Sequence, residues 1–312
     1  VATATDRAAL EAELADARAD LERHAGAVQS AAASGLSNSS LVKRDLQRVE
    51  DAEAALAELD QVQPDPFARP GWSLDELVDL SSPDGWKLED FTASNTASQD
   101  LPANVSFGPE GLRIVGRREQ TPNGSPYSSG DAKGVGHPIP NYARVEVVGR
   151  GPHAPGLWPC VLWLRPLVGD VGEIDLMENF GGQPRAAATL HNAYGSGHKM
   201  IHGNLPWAAL PDPTPAELHR YVLEKTQGRI VITCDDVVMM DVGPASPNPT
   251  APIPDGFDWD ATFEVTGQRW YPRVTLQIGC GTANPDCATG QPPASWTYTD
   301  MLVTELRIYA PA

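Results

Sequence analysis

Cysteine is scarce: four in 312 residues, too few for a disulfide scaffold. Cys160 and Cys234 stand in apolar runs and read as buried thiols, while Cys280 and Cys287 bracket a six-residue loop and can pair in oxidising surroundings. No Cys-x-x-Cys or His-x-Cys spacing offers zinc ligands and no cofactor is expected, with a structural calcium alone left open. Positive charge is also short, with 23 Lys and Arg against 41 Asp and Glu and a net charge of -18. A polyanion surface is excluded on that balance, and nucleic acid is not an expected partner. No apolar run approaches the length of a membrane span, and no basic-then-apolar leader opens the chain, so no membrane partner is expected. The nucleophile-elbow and phosphate-loop patterns are missing too, which removes serine hydrolysis and nucleotide chemistry.

What is present falls into three parts. Residues 1–62 are rich in Ala, Leu, Glu, Asp and Arg and contain no Pro. Leu10, Leu14, Ala17, Leu21, His24 and Val28 recur at alternating spacings of three and four, as do Val42, Leu46, Val49, Ala52, Leu56 and Leu59. Two helices with a break near Ser34–Ser40 follow, a helical hairpin or coiled-coil segment for oligomerisation or docking, or one that packs on its own chain. His24 reads as a packed or rim residue, since no second His stands four positions on. Residues 63–85 form a Pro-rich linker, Gln63–Gly71, and then Trp72–Leu80, expected as a short helix opened by Ser73 or as a strap lying against the β domain. Residues 86–312 alternate short apolar runs with Pro and Gly, the spacing of an all-β sandwich.

The chemistry concentrates in E-I-D-L-M-E, Glu173–Glu178. Side chains alternate across a strand, so Glu173 and Asp175 share a face and Glu178, by parity, points away. One extra residue, a β-bulge near Leu176 or Met177, returns Glu178 to that face and sets three carboxyls along one cleft wall. Carboxyls so crowded cannot all ionise, and their pKa values spread. Retaining glycoside hydrolysis uses such a spread: one carboxylate attacks the anomeric carbon and a protonated one about 5 to 5.5 Å away serves the leaving oxygen. The plainer alternative is a solvated acidic face in an acid-rich chain.

Context favours the first. Gly156–Leu164 (G-L-W-P-C-V-L-W-L), Gly172–Asn179 (G-E-I-D-L-M-E-N) and Thr189–His191 (T-L-H) resemble glycoside hydrolase family 16, in the branch of laminarinases, agarases and carrageenases with the bulged E-x-D-x-x-E form. Looser matches follow at Tyr127–Gly130, Tyr142–Glu146, His219–Thr226, Leu276–Gly281 and Met301–Tyr309. The resemblance implies a mainly β fold, a concanavalin-like jelly-roll sandwich, with Glu173 as nucleophile, Asp175 as the assisting acid and Glu178 as acid/base. It implies sugar contacts from Trp158, Trp163, His191 and Asn179. Of the two Trp, one is expected to face the cleft and the other the core. Trp207, Trp259 and Trp296 are candidates for stacking on sugar or for anchoring loops. The chain departs from the family where it reads Gly169-Asp170-Val171-Gly172 before Glu173, where a Trp is common. Thr304 replaces an Asp that can join a calcium site, and Lys225 replaces a Trp.

The expected function is therefore a retaining endo-β-glycosidase acting on a β-1,3-glucan, a β-galactan or a cell-wall glycan. A helical mount suggests a homo-oligomer or a docked subunit, displayed on a virion as a bacteriophage tail or baseplate protein, or otherwise extracellular. The alternatives are a glycan-adsorption module with little turnover and a structural assembly protein.

Overall fold

A computed structural model describes residues 12–20, 22–23, 47–53, 71–281 and 287–312. The chain divides into two compact units, 1–69 and 70–312. In the first, residues 12–20, 22–23 and 47–53 are helical. Ala17, Val49 and Ala52 from the two apolar stripes are buried, and Arg18 pairs with Glu53 at 2.7 Å while Arg48 pairs with Asp20 at 3.0 Å. Those pairings run in opposite directions along the two segments, so they lie antiparallel. His24, Ser34–Ser40 and residues 63–70 lie outside the described residues.

The second unit is a jelly-roll sandwich of two antiparallel sheets. One sheet runs Val105–Gly108, Gly111–Arg118, Tyr298–Pro311, Ala143–Arg150, His219–Thr226, Arg229–Cys234 and Val237–Val242. The other runs Tyr127–Lys133, Arg269–Ile278, Leu157–Pro166, Gly172–Glu178, Arg185–Asn192 and Met200–Pro206. Tyr127–Lys133 belongs to both: its first residues pair with Arg117 and Arg118, its later ones with Arg273–Leu276. Period-two patterning decides which side faces in. In Met200–Pro206, Ile201, Gly203 and Leu205 are buried while Met200, His202 and Asn204 face out. Val145, Val147, Leu162, Leu164, Ile174, Leu176 and Leu276 meet in one apolar core between the sheets.

Trp72–Leu77 is a strand and not a helix. It pairs with the end of Tyr298–Pro311, because a neighbour with open backbone groups offers ladder bonds that a single helical turn lacks. Cys280 and Cys287 are joined in a disulfide, and Cys160 and Cys234 are buried free thiols. The segment after the disulfide closes against the end of the acid-bearing strand at Gly181, whose φ of +63° and 2.4 Å gap from an added Cβ to the Thr289 oxygen admit no side chain.

Candidate active site

The outward face of the second sheet carries a cleft of about 770 Å³. Gly172–Glu178 crosses its floor. Against the neighbouring strand, Glu173 pairs with His191, Asp175 with Thr189 and Glu178 with Ala187, so three steps on one strand match two on the other. That is the extra residue parity demands, and with it Glu173, Asp175 and Glu178 all line the cleft. Ile174 and Leu176 are fully buried on the core side. The partner strand Leu157–Pro166 is bulged as well: Arg273 and Thr275 face Trp163 and Cys160, two steps against three. Both Trp158 and Trp163 therefore line the cleft, and the expectation that one of them turns to the core fails for this reason.

Each acid has a different environment. Glu173 accepts from Arg165 Nη1 at 2.7 Å on Oε2 and from the Tyr194 hydroxyl at 2.8 Å on Oε1. Asp175 faces His191 Nε2 at 3.0 Å, and burial, with the Glu173 charge adding to it, pushes its carboxyl well above the usual range. Glu178 accepts from Trp158 Nε1 at 3.0 Å and Thr189 Oγ1 at 2.8 Å. Burial, and then Asp175, raise it to about 8, against the pull of Thr189, His191 and Trp158. His191 is driven down by burial, and its Nδ1 meets His198 Nε2 at 2.9 Å with the ring planes 4° apart. On the opposite wall the Arg273 guanidinium lies 4.1 Å over the Trp163 ring, held by a forked contact to buried Asp131.

Trp158, Trp163 and His191 thus stand in the cleft with the acids, and Asn179 does not. Its side-chain amide donates to the Gln183 and Arg185 carbonyls at 2.9 and 2.8 Å and accepts from Gly182 N at 3.1 Å, stitching the turn that follows the acid strand. The loop tryptophans also lie elsewhere. Trp207 and Trp259 are buried and spend their indole N–H on Gln183 and Glu264, while Trp296 packs on Tyr127. Sequence reasoning missed Arg165, Tyr194, His198, Thr189 and Arg273. Only Thr189 had a signal, standing two residues before His191 on the same face.

Among the described residues two groups bring potential metal ligands together, Glu173, Asp175 and His191, and His219, Cys234 and Asp235. In the second, His219 Nδ1 lies 2.7 Å from Asp235 and Nε2 lies 3.1 Å from the Thr214 carbonyl. Both ring nitrogens are thus already engaged, and the hydrogen bond to Asp235 raises the imidazole above its usual range, which works against an ion here. Thr304, where the resemblance expects an Asp, donates its hydroxyl to the Val148 carbonyl at 3.3 Å and supplies no carboxylate.

No protein-family profile matches the chain, and no curated protein matches its sequence. Solved structures do match. The laminarinase catalytic domain from Thermotoga maritima is 18% identical, with a TM-score of 0.61 over 77% of this chain and 99% of that one. The endo-β-1,3-glucanase from Pyrococcus furiosus is 22% identical, with a TM-score of 0.61 over 77% and 95%. SCLam, a non-specific endo-β-1,3(4)-glucanase of glycoside hydrolase family 16, is 22% identical, with a TM-score of 0.60 over 80% and 95%. The common property at these identities is the fold.

Proposed function

We propose that the protein is a retaining endo-β-glycosidase. Glu173 attacks the anomeric carbon, Glu178 protonates the leaving oxygen and then deprotonates water, and Asp175 between them tunes both. The observation that carries this reading is the contrast between two carboxyls on one bulged strand. Both oxygens of Glu173 accept hydrogen bonds, one of them from a guanidinium, as an ionised nucleophile requires. Glu178 is buried and raised to about 8, so it holds its proton at neutral pH. Trp158, Trp163 and His191 supply the aromatic walls for sugar rings.

The substrate class we infer is a β-linked polysaccharide: a β-1,3-glucan, on which enzymes of the same fold act, a β-galactan or a cell-wall glycan. The helical unit fits a multimeric mount, and a phage tail or baseplate on the virion is the setting we propose for it, with free extracellular action as the other. No cofactor enters this scheme. The test is release of reducing ends from a panel of β-glucans, β-galactans and bacterial cell-wall polysaccharide. One polymer should be cleaved, and Glu173→Gln should lower that rate by roughly 10⁴ or more while sparing glycan retention. Retention of a glycan by the wild type with no cleavage across the panel would replace this reading with adsorption.

A further inference from the structure

We propose that Tyr194 is the group that yields and restores the reacting oxygen of Glu173, an inference that rests on the nucleophile reading above. Glu173 has two oxygens and two donors. Arg165 holds Oε2 and is itself fixed from a second side, its Nη2 donating to Asp170 at 2.8 Å. Pulling that guanidinium away would strip two carboxylates of their charge partner in a half-buried site, so Oε2 keeps its donor throughout. Tyr194 holds Oε1 on different terms. It stands on the connection between Arg185–Asn192 and Met200–Pro206, and its side chain is 47% exposed. Two glycines follow it closely, Gly195 and Gly197, and an added Cβ at either would meet nothing within 4 Å. The connection has room to carry the phenol away and bring it back.

The ring is placed for the return. It stacks on His198 with centroids 4.4 Å apart and lies 5.3 Å from the Arg165 guanidinium carbon. His198 is in turn hydrogen-bonded to His191, which is bonded to Asp175. The phenol ring thus stacks on one member of a hydrogen-bonded histidine pair, while the two glycines beside it face open space.

The chemistry assigns this donor to one half of the reaction. In the first step the Glu173 Oε1 lone pair forms the bond to the anomeric carbon as the glycosidic bond breaks, its electrons going to the leaving oxygen with the Glu178 proton. The carboxylate charge that Tyr194 served disappears into an ester, so the phenol loses a strong acceptor as the step proceeds. In the second step water, deprotonated by Glu178, attacks the anomeric carbon and the Oε1 bond breaks, returning its electrons to the carboxylate. The Tyr194 O–H stabilises that growing charge. Tyr194 therefore accelerates release of the glycosyl-enzyme and contributes little to its formation.

The two steps are read separately with the 2,4-dinitrophenyl 2-deoxy-2-fluoro-β-glycoside of the disaccharide unit of the polymer cleaved in the panel above. Its rate of inactivation reports the first and the hydrolysis of the trapped adduct the second. Tyr194→Phe keeps the ring and removes the hydroxyl. The expected result is reactivation slowed about tenfold with inactivation changed by less than about threefold, the scale of one hydrogen bond to a charged group. Equal slowing of both rates would make Tyr194 a structural residue only and overturn the proposal, as would no change in either. A wild-type protein that forms no adduct on Glu173 would overturn the nucleophile reading instead. A sugar-free arm keeps the two failures apart. Carbodiimide-driven amidation of Glu173, read by peptide mass spectrometry, should be severalfold faster in Tyr194→Phe, and an unchanged rate would show that the phenol does not hold Oε1.

Discussion

Glu178 owes its assigned role to its neighbours, and the signs of their effects are open to test. An acid that titrates at about 8 is protonated below that pH, so kcat/KM should fall as pH rises through about 8. Asp175 is one of the two causes that raise it, so Asp175→Asn should move this alkaline limb to lower pH. The Thr189 hydroxyl favours the charged form, so Thr189→Val should move it to higher pH. A pH profile of kcat/KM for the three proteins checks this, and shifts of the same sign in both variants would contradict the assignment. The carboxyls were legible in the sequence because strand parity is a local rule, and a single inserted residue repairs it. Their donors were not. Arg165 comes from a neighbouring strand and Tyr194 from a loop, and the aim of Arg165 depends on a bulge in Leu157–Pro166 that no residue there announces. Asn179 misled for the opposite reason: its place in the sequence motif is next to Glu178, but its amide is consumed by the turn it closes.

Single elements show where local pattern lost to tertiary context. Trp72–Leu77 has too few residues to favour a helix over an available strand edge, and only the partner, 230 residues later in the chain, decides. Lys225 is the sharper case. It lies on the strand His219–Thr226 and is 2% exposed. Its ammonium donates to the Asn141 side-chain oxygen at 3.0 Å and to the Phe263 carbonyl, at the end of the helix Trp259–Phe263, at 2.6 Å. Burial lowers it from 10.5 to about 8. A base whose pKa is depressed by folding costs stability while it is charged, and that cost is relieved as pH rises from about 8 to about 10.5. Both acceptors have a second donor, from Trp270 Nε1 and from Asn141 Nδ2, so removing the amine orphans neither. Lys225→Met should therefore be at least as stable as the wild type at pH 7. Its advantage should shrink by about 3 kcal/mol by pH 10.5, as read by denaturant melts at both pH values. An advantage that stays constant with pH would mean that Lys225 is not a buried charge.

At the scale of the whole molecule, the chain divides into two units of different make-up. The sandwich of 70–312 has a continuous apolar core between its sheets. Among the described residues the helical segments bury Ala17, Val49 and Ala52, small side chains that remove little apolar area from water, and Leu14 on the same stripe is only partly buried. The sequence exposed this contrast through its 3.5-residue spacing, because a periodic stripe is readable without knowing its partner. Which surface covers the stripe is not a local property, and the sequence left a self-packed hairpin and an oligomer both open. We propose the oligomer, on the ground that two short helices with so narrow a stripe gain too little from each other. Sedimentation velocity on the full chain should then show a multimer, and residues 70–312 alone should sediment as a monomer with the same activity per cleft, since every cleft residue lies in that unit. A monomeric full chain would return the helices to the role of a self-packed hairpin. A multimeric 70–312 would move the interface to the sandwich, where the half-exposed Leu74 and Leu77 on the edge strand would be the first positions to substitute with Lys.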